Sequence, residues 1–373
     1  MNRTDKAAGL FQDAVKGNHV ARGRVRQIVE AGVDDHSASL SEAITASDLH
    51  NAFTKTIRQT LVSQYADAPR VWQEIAKRQT FEDFKPQHLR EFDWNKGLDI
   101  ETNAGERIVP GALARVPELS EYPSFGFTTS ERQHKIHKNG ARLPFSWESV
   151  IDNEWGFIES IPSNLVNLAL NTEEVEAFGS LADVNGPNAE VFTGTIAPDN
   201  KPLTLDNLKA AKEIVRNRKV NGRRVKVNKF ALVVPTALQD QAQTVLGISE
   251  YKETVTSGGT ARELTVTTAN SDVKLVVADV LGDIDISATS ATTWYLVPLG
   301  GSDGTRTSLI LGFLRNHEAP ELRVSGATGL YIGGGSVPAL EGSLLNDDIE
   351  YRVRHVVAGG YVYTDSLYAS KGK

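Results

Sequence analysis

The residues able to do chemistry are few and poorly arranged for it. Eight histidines are scattered over 373 residues. The closest pair, His134 and His137, lies in a stretch that reads as a strand, where an odd spacing puts them on opposite sides. They read as solvated or interface-facing histidines, not metal ligands. The carboxylate pairs Asp34–Asp35, Glu173–Glu174 and Asp347–Asp348 are adjacent in the chain, whereas acid–base catalysis needs carboxyls opposed across a substrate. Each reads as a solvated face. Gly333–Gly335 has the composition of a phosphate loop, yet no lysine or helix start follows it, so it reads as a turn. The chain has no Walker loop, GxGxxG fingerprint, HExxH pair or EF-hand loop. Cysteine is absent, which excludes disulfides, zinc thiolates, iron–sulfur clusters and cysteine nucleophiles together. No catalytic, cofactor-binding or metal-binding residue is nominated, and no enzymatic activity is expected.

Charge is more informative. Forty basic against 47 acidic side chains give a net −7, so any contact with nucleic acid must be local. Residues 1–26 carry Arg3, Lys6, Lys16, Arg22, Arg24 and Arg26 against Asp5 and Asp13, a local +4. Residues 129–142 carry Arg132, Lys135, Lys138 and Arg142 against Glu131 alone, whereas Glu173, Glu174, Glu176 and Asp183 cluster some thirty to forty residues later. Arg216 to Lys229 holds seven basic residues and no acid in 14 positions. That run reads first as a helix C-terminus and a solvated turn, with salt bridges to another copy or contact with nucleic acid as alternatives.

The elements that must position these groups follow from periodicity. Two short amphipathic pieces in the first fifty residues lack the apolar count of an independent core. Leu49, Phe53, Ile57, Leu61 and Tyr65 recur every four residues behind Ser47–Asp48, which predicts an amphipathic helix. Thr128 to Pro144 alternates with neither face apolar, so no core lies behind it. With Leu113–Phe127 as outgoing limb, it predicts a long projecting hairpin, a flexible loop being the alternative. The longest periodic stretch, from Trp147 through Phe178, predicts a helix over 153–181, either kinked at Pro162 or restarted near Ser160. Further helices are predicted over 205–218, capped by Thr204, and 235–246, stopped by Gly247. Strands are predicted over 225–234, 264–266, 273–278, 293–297 and 308–314. The runs 349–357 and 361–363, separated by Ala358-Gly359-Gly360, predict a closing hairpin. No apolar run approaches the ~20 residues of a membrane helix, and residues 1–18 show no signal-peptide stretch. A cytosol-like site of synthesis and use is expected.

The order of these elements resembles a known family. A charged arm with its helix, a strand at Asp83-Phe84-Lys85, the polar hairpin and the junction RLPFSWESVIDNEWGFIESIP come first. The long helix, LTLDNLKAAKEIV, FALVVPTALQDQA and the closing DDIEYRVRHVVAGGYVYTDSLYAS follow. Over about residues 45–373 this is similar to the major capsid proteins of tailed double-stranded DNA bacteriophages, most of all those of actinobacterial phages, a fold shared with encapsulin shells. The resemblance implies an α+β fold: an N-terminal arm with helix and lead-in strand (1–95), an extended loop region (96–145, the loop itself about 112–142), a P domain with a long spine helix (146–185), an A domain (186–320), and a return to the P domain ending in the β-hairpin (321–373).

It further implies assembly of hexamers and pentamers into an icosahedral capsid around double-stranded DNA, in the host cytoplasm, with portal and scaffolding proteins as partners, a decoration protein as an optional further one, and no membrane. On that basis Arg132, Lys135, Lys138 and Arg142 of one subunit are expected to meet Glu173, Glu174, Glu176 and Asp183 of its neighbour, setting register more than affinity. Lys16, Arg22, Arg24 and Arg26 are expected to face the lumen and DNA, with an interlocking arm as the competing role. Some relatives crosslink a loop lysine to an asparagine; Lys135 or Lys138 could supply the lysine, but no asparagine and carboxylate can be assigned, so crosslinking is not expected. The rival readings are an encapsulin-like compartment and a monomeric α+β enzyme whose carboxylates converge only in three dimensions.

Overall fold

The computed structural model of the chain describes residues 63–96, 126–146, 155–220, 223–248, 250–257, 260–267, 270–300, 307–325 and 346–373, with isolated positions within 7–24 and 116–122 and at 332 and 343. In chain order come β1 (Ala76–Phe81), β2 (Gln87–Lys96), β3 (Gly126–His134), β4 (Lys138–Ser146) and helix α1 (Trp155–Gly179). The short strands β5 (Ala182–Asp183) and β6 (Gly186–Pro187) precede α2 (Leu205–Asn217), β7 (Lys219–Val220), β8 (Arg223–Arg224), β9 (Phe230–Val234) and α3 (Gln239–Gly247). Then follow β10 (Glu250–Ser257), β11 (Thr260–Thr267), β12 (Val273–Val277), α4 (Val280–Ile284), β13 (Trp294–Pro298), β14 (Leu309–Leu314), β15 (Glu321–Val324), β16 (Asp348–Tyr361) and β17 (Tyr368–Ser370). This is a mixed α+β architecture. The chain visits two compact units alternately: Met1–Pro69, Lys138–Thr172 and Arg315–Val356 form one, and Arg70–His137, Glu173–Leu314 and Val357–Lys373 the other.

In the first unit, the leading part of β16 pairs antiparallel with β4 on one side, Asp348 opposite Ser146 through Val356 opposite Lys138, and with β15 on the other. Leu165, Val166 and Ala169, on one helical face of α1, close a small core with Tyr65 and Val353. Gly140 is needed here because a Cβ would stand 2.6 Å from the Val353 carbonyl oxygen.

In the second unit, β9, β13 and β17 show why their sequences are continuously apolar. Ala231, Val233, Tyr295, Val297 and Ala369 belong to one core cluster. The alternating residues Phe230, Leu232, Val234, Trp294, Leu296 and Tyr368 belong to another. The sheet β12–β9–β13–β17 is therefore buried on both faces. One face packs on Leu208, Ala211 and Val215 of α2 and Ala242 and Val245 of α3. The other packs on Leu309, Leu311 and Phe313 of β14 and on Ala177 and Phe178 of α1. Strand β14 lies between β1, parallel to it, and the end of β16, antiparallel to it. Helix α2 begins as its sequence predicts: the Thr204 hydroxyl accepts the Asn207 N–H at 3.3 Å.

Several expectations are corrected. The ribbon pairs β3 with β2, Gln87 opposite His134 through Lys96 opposite Gly126, so the partner of β3 is 87–96; most of the outgoing limb expected over 113–127 lies outside the described residues. The stretch 128–144 is not one coreless strand. It breaks between β3 and β4 where Ile136 is 1% and His134 8% exposed, so His134 is neither solvated nor interface-facing. Asp83–Lys85 forms a turn between β1 and β2, with the Asp83 carboxylate accepting the Lys85 N–H, not a strand. Helix α1 runs unbroken through Pro162, which removes the restart at Ser160. The strand expected over 225–234 begins at Phe230. The closing hairpin is instead the single strand β16, which passes straight through Ala358-Gly359-Gly360. Those glycines permit close approach, not a turn: a Cβ on Gly359 would lie 1.7 Å from the Glu176 carbonyl oxygen, and one on Gly360 2.4 Å from His134 Nδ1. The helix expected over 49–65 lies outside the described residues except for its helical end at 63–67, and Gly333–Gly335 lies outside them altogether.

Candidate assembly interface

The acidic set expected to face a neighbouring copy sits on the last turns of α1 and just beyond. Glu173 is fully buried. Its Oε2 accepts from Trp72 Nε1 at 2.8 Å and pairs with Arg70 Nε at 3.3 Å. Glu173 is therefore unavailable to another copy, and reading it as part of a solvated face is corrected. A buried carboxylate needs such partners, because water can no longer stabilise the charge. Glu174 Oε1 accepts the backbone N–H groups of Val71 and Trp72 at 2.8 and 3.2 Å. These are orphan donors of the 3₁₀ turn Val71–Glu74, whose own N-cap residue supplies no side-chain cap. Burial holds the Glu174 carboxyl above its usual range, against the pull of those two N–H groups. Glu176 Oε1 meets His137 Nε2 at 2.7 Å, and its Oε2 accepts the Gly359 N–H at 3.2 Å. Asp183 closes its own turn by accepting the Asn185 N–H at 2.7 Å. The acidic set is thus largely engaged in tying α1 to β1's lead-in turn and to β16.

The basic set divides. Arg132 donates to Thr364 Oγ1 at 3.1 Å, and its guanidinium stands 5.2 Å from the centre of the Tyr361 ring. Arg142 pairs with Glu350 at 3.1 Å across the β4–β16 ladder, an exposed pair worth ~0.2–1 kcal/mol. Lys135 and Lys138 are exposed and pair with nothing among the described residues. They are the two members of the set most open to an external partner. Of the expected lumen-facing cations, Arg24 is half-buried, while Lys16, Arg22 and Arg26 lie outside the described residues.

His134 is the group that sequence reasoning misplaced most. Its ring packs 5.1 Å from that of Phe81, and Gly312 and Gly360 make room for it. Burial lowers its pKa, opposed by a hydrogen bond with the Ala358 backbone and by Glu176. Arg70 and Trp72 belong to the same site, and the sequence around them carries no clear signal, because the strand that follows, Ala76–Phe81, is mostly polar.

The described residues contain no cluster of three or more potential metal ligands and no helix long and apolar enough to cross a membrane. Gly300-Gly301-Ser302-Asp303-Gly304 has GxSxG spacing, and its residues 301–304 lie outside the described residues. Polar side chains at the described sites hold strands and helices together. The model of the family described as phage capsid protein matches residues 129–369, and the chain belongs to that family. It is a structural subunit of a capsid shell, located in the virion. Among solved structures, it is similar to Gordonia phage Cozz at 12% identity, covering 80% of this chain and 85% of that one, with a TM-score of 0.46. It is likewise similar to Mycobacterium phage Adephagia at 11% identity, with coverage of 78% and 83% and a TM-score of 0.44. The holo-SrpI encapsulin complex from Synechococcus elongatus is similar at 12% identity, with coverage of 81% and 91% and a TM-score of 0.40. No curated protein matches the chain.

Proposed function

We propose that this chain assembles into the hexamers and pentamers of an icosahedral phage capsid enclosing double-stranded DNA, and that it catalyses nothing. Membership of the phage capsid family over residues 129–369 carries this reading. The division into N-terminal arm, extended loop, P domain around α1 and A domain around the β9 sheet belongs to the same proposal. The β2–β3 hairpin supports it, because a two-stranded ribbon is marginally stable in water until something covers it. In an assembly of identical copies that cover is another copy, with Lys135 and Lys138 supplying charge toward it. Lys16, Arg22, Arg24 and Arg26 serve the inner surface, where phosphate contacts need no sequence specificity. Portal and scaffolding proteins are the expected further partners, with assembly in the host cytoplasm.

Electron microscopy and size-exclusion chromatography of the full-length chain test the proposal. Closed shells with five- and six-fold rings are expected, and a lone 40.6 kDa species under all conditions refutes it. Shells purified with a co-packaged enzyme and no genome would instead support the encapsulin-like compartment.

A further inference from the structure

The acid-free run 216–229 folds into an arrangement that leaves cations facing one another. Strands β7 and β8 pair so that Lys219 stands directly opposite Arg224. Both side chains are exposed, and neither has a carboxylate partner among the described residues. Like charges directly opposite on a ladder repel, so the arrangement favours an anion placed between them. From Arg224 onward, burial alternates: Arg224 and Lys226 are exposed, while Val225 is half-buried against the α2–α3 core and Val227 is buried in it. Alternate residues of an extended segment are about 6.7 Å apart, the same order as successive phosphates along a nucleic-acid strand.

The base beneath this row is rigidly held. Arg218 donates from Nη1 to the carbonyl oxygens of Asp365 and Leu367 at 2.6 and 2.8 Å. Arg216 and Lys212 share the Asp272 carboxylate at 2.8 and 3.1 Å. Lys212, Arg216 and Arg218 thus stand against the carboxylate of Asp272 and, near Arg218, that of Asp365, so the base brings no excess of acid to the row. The whole chain has a net charge of −7, so this concentration of positive charge is local.

We propose that Lys219, Arg224 and Lys226 form a phosphate-binding row that contacts the backbone of packaged DNA without regard to sequence. The source of the phosphates rests on the capsid reading, but the row's affinity for duplex DNA does not. The test is binding of the full-length, unassembled chain to a mixed-sequence duplex across a salt series. Each phosphate contact contributes about 0.9 to the slope of log K against log salt. Replacing all three residues by serine is expected to lower the slope by about 2.7. Replacing Lys77, Lys85 and Lys373 by serine removes the same charge elsewhere and is expected to lower it far less. Lys219→Arg with Lys226→Arg is expected to preserve the slope, which separates charge from folding. Equal slopes for the native chain and the triple-serine variant overturn the proposal. Equal slopes combined with a loss of shells from the triple-serine variant assign the row to an acidic surface of another copy, which also overturns it. Shell formation by the native chain is scored separately by microscopy. Its failure counts against the capsid reading while leaving the binding result interpretable.

Discussion

Gly359→Ala separates two readings of the Ala358-Gly359-Gly360 segment that make opposite predictions. In a hairpin turn, alanine at a position without positive φ costs little and gains about 0.4–1 kcal/mol by restricting the unfolded chain. In the observed strand, the new methyl would stand 1.7 Å from the Glu176 carbonyl oxygen and 2.9 Å from Ser180 Oγ, where ordinary contact begins at 3.4 Å. The nearest atom is helix backbone, so α1 and β16 must separate by more than an ångström. Ala177 and Phe178, 1% and 0% exposed, ride on that helix turn. Overpacking costs about 1–3 kcal/mol, and losing the Gly359 N–H bond to Glu176 adds about 1 kcal/mol. A net loss of about 3 kcal/mol is expected after the unfolded-state gain. At an m value near 3 kcal/mol/M, that lowers the urea midpoint of the dissociated subunit by about 1 M. Gly360→Ala meets the His134 ring, which can shift more readily than backbone, so a smaller loss of about 2 kcal/mol is expected. Gly282→Ala, with nothing within 4 Å of its Cβ, is expected to be neutral or stabilising by up to about 1 kcal/mol. Equal midpoints for Gly359→Ala and Gly282→Ala would refute the close-approach argument.

Three further outcomes are expected. Glu173→Ala removes the buried carboxylate from the Arg70 guanidinium and the Trp72 indole and should destabilise by about 3–5 kcal/mol, whereas Glu173→Gln, which keeps an acceptor for Trp72, should cost about 1–3 kcal/mol; equal, small shifts in the denaturation midpoint would show that the carboxylate is dispensable. Because burial lowers the His134 pKa below 6.5, the unfolded chain binds this proton more readily than the folded one. The contribution is complete above pH 6.5 and declines as pH falls toward the depressed folded value. His134→Gln should flatten that part of the stability profile, and an unchanged profile would assign it to other groups. Lys135→Glu with Lys138→Glu should reduce shell yield and change its salt dependence without moving the subunit's melting temperature; unaltered yield and salt response would remove both lysines from the interface.

Periodicity was enough where one element carries its own signal. The helix through Phe178, the Thr204 cap and the apolar strand Phe230–Val234 are legible because a continuous face, a hydroxyl acceptor or a doubly buried run leaves a local trace. Partnership left none. Nothing in the sequence says that β3 pairs with residues 87–96, that Glu173 lies under Trp72, or that β16 runs straight through two glycines. Turn glycines and close-approach glycines share the same letters, and a solvated carboxylate is spelled like a buried one. Which it is depends on atoms about a hundred residues or more away, such as Glu173 from Trp72 and Gly359 from Glu176. Composition alone could exclude cysteine chemistry and point to local charge. Where that charge is already satisfied, as at Glu173, and where it stays open, as at Lys135, Lys138 and the Lys219–Arg224 pair, was decided by long-range packing, because an ion's partner is set by the folded path and not by its neighbours in the chain.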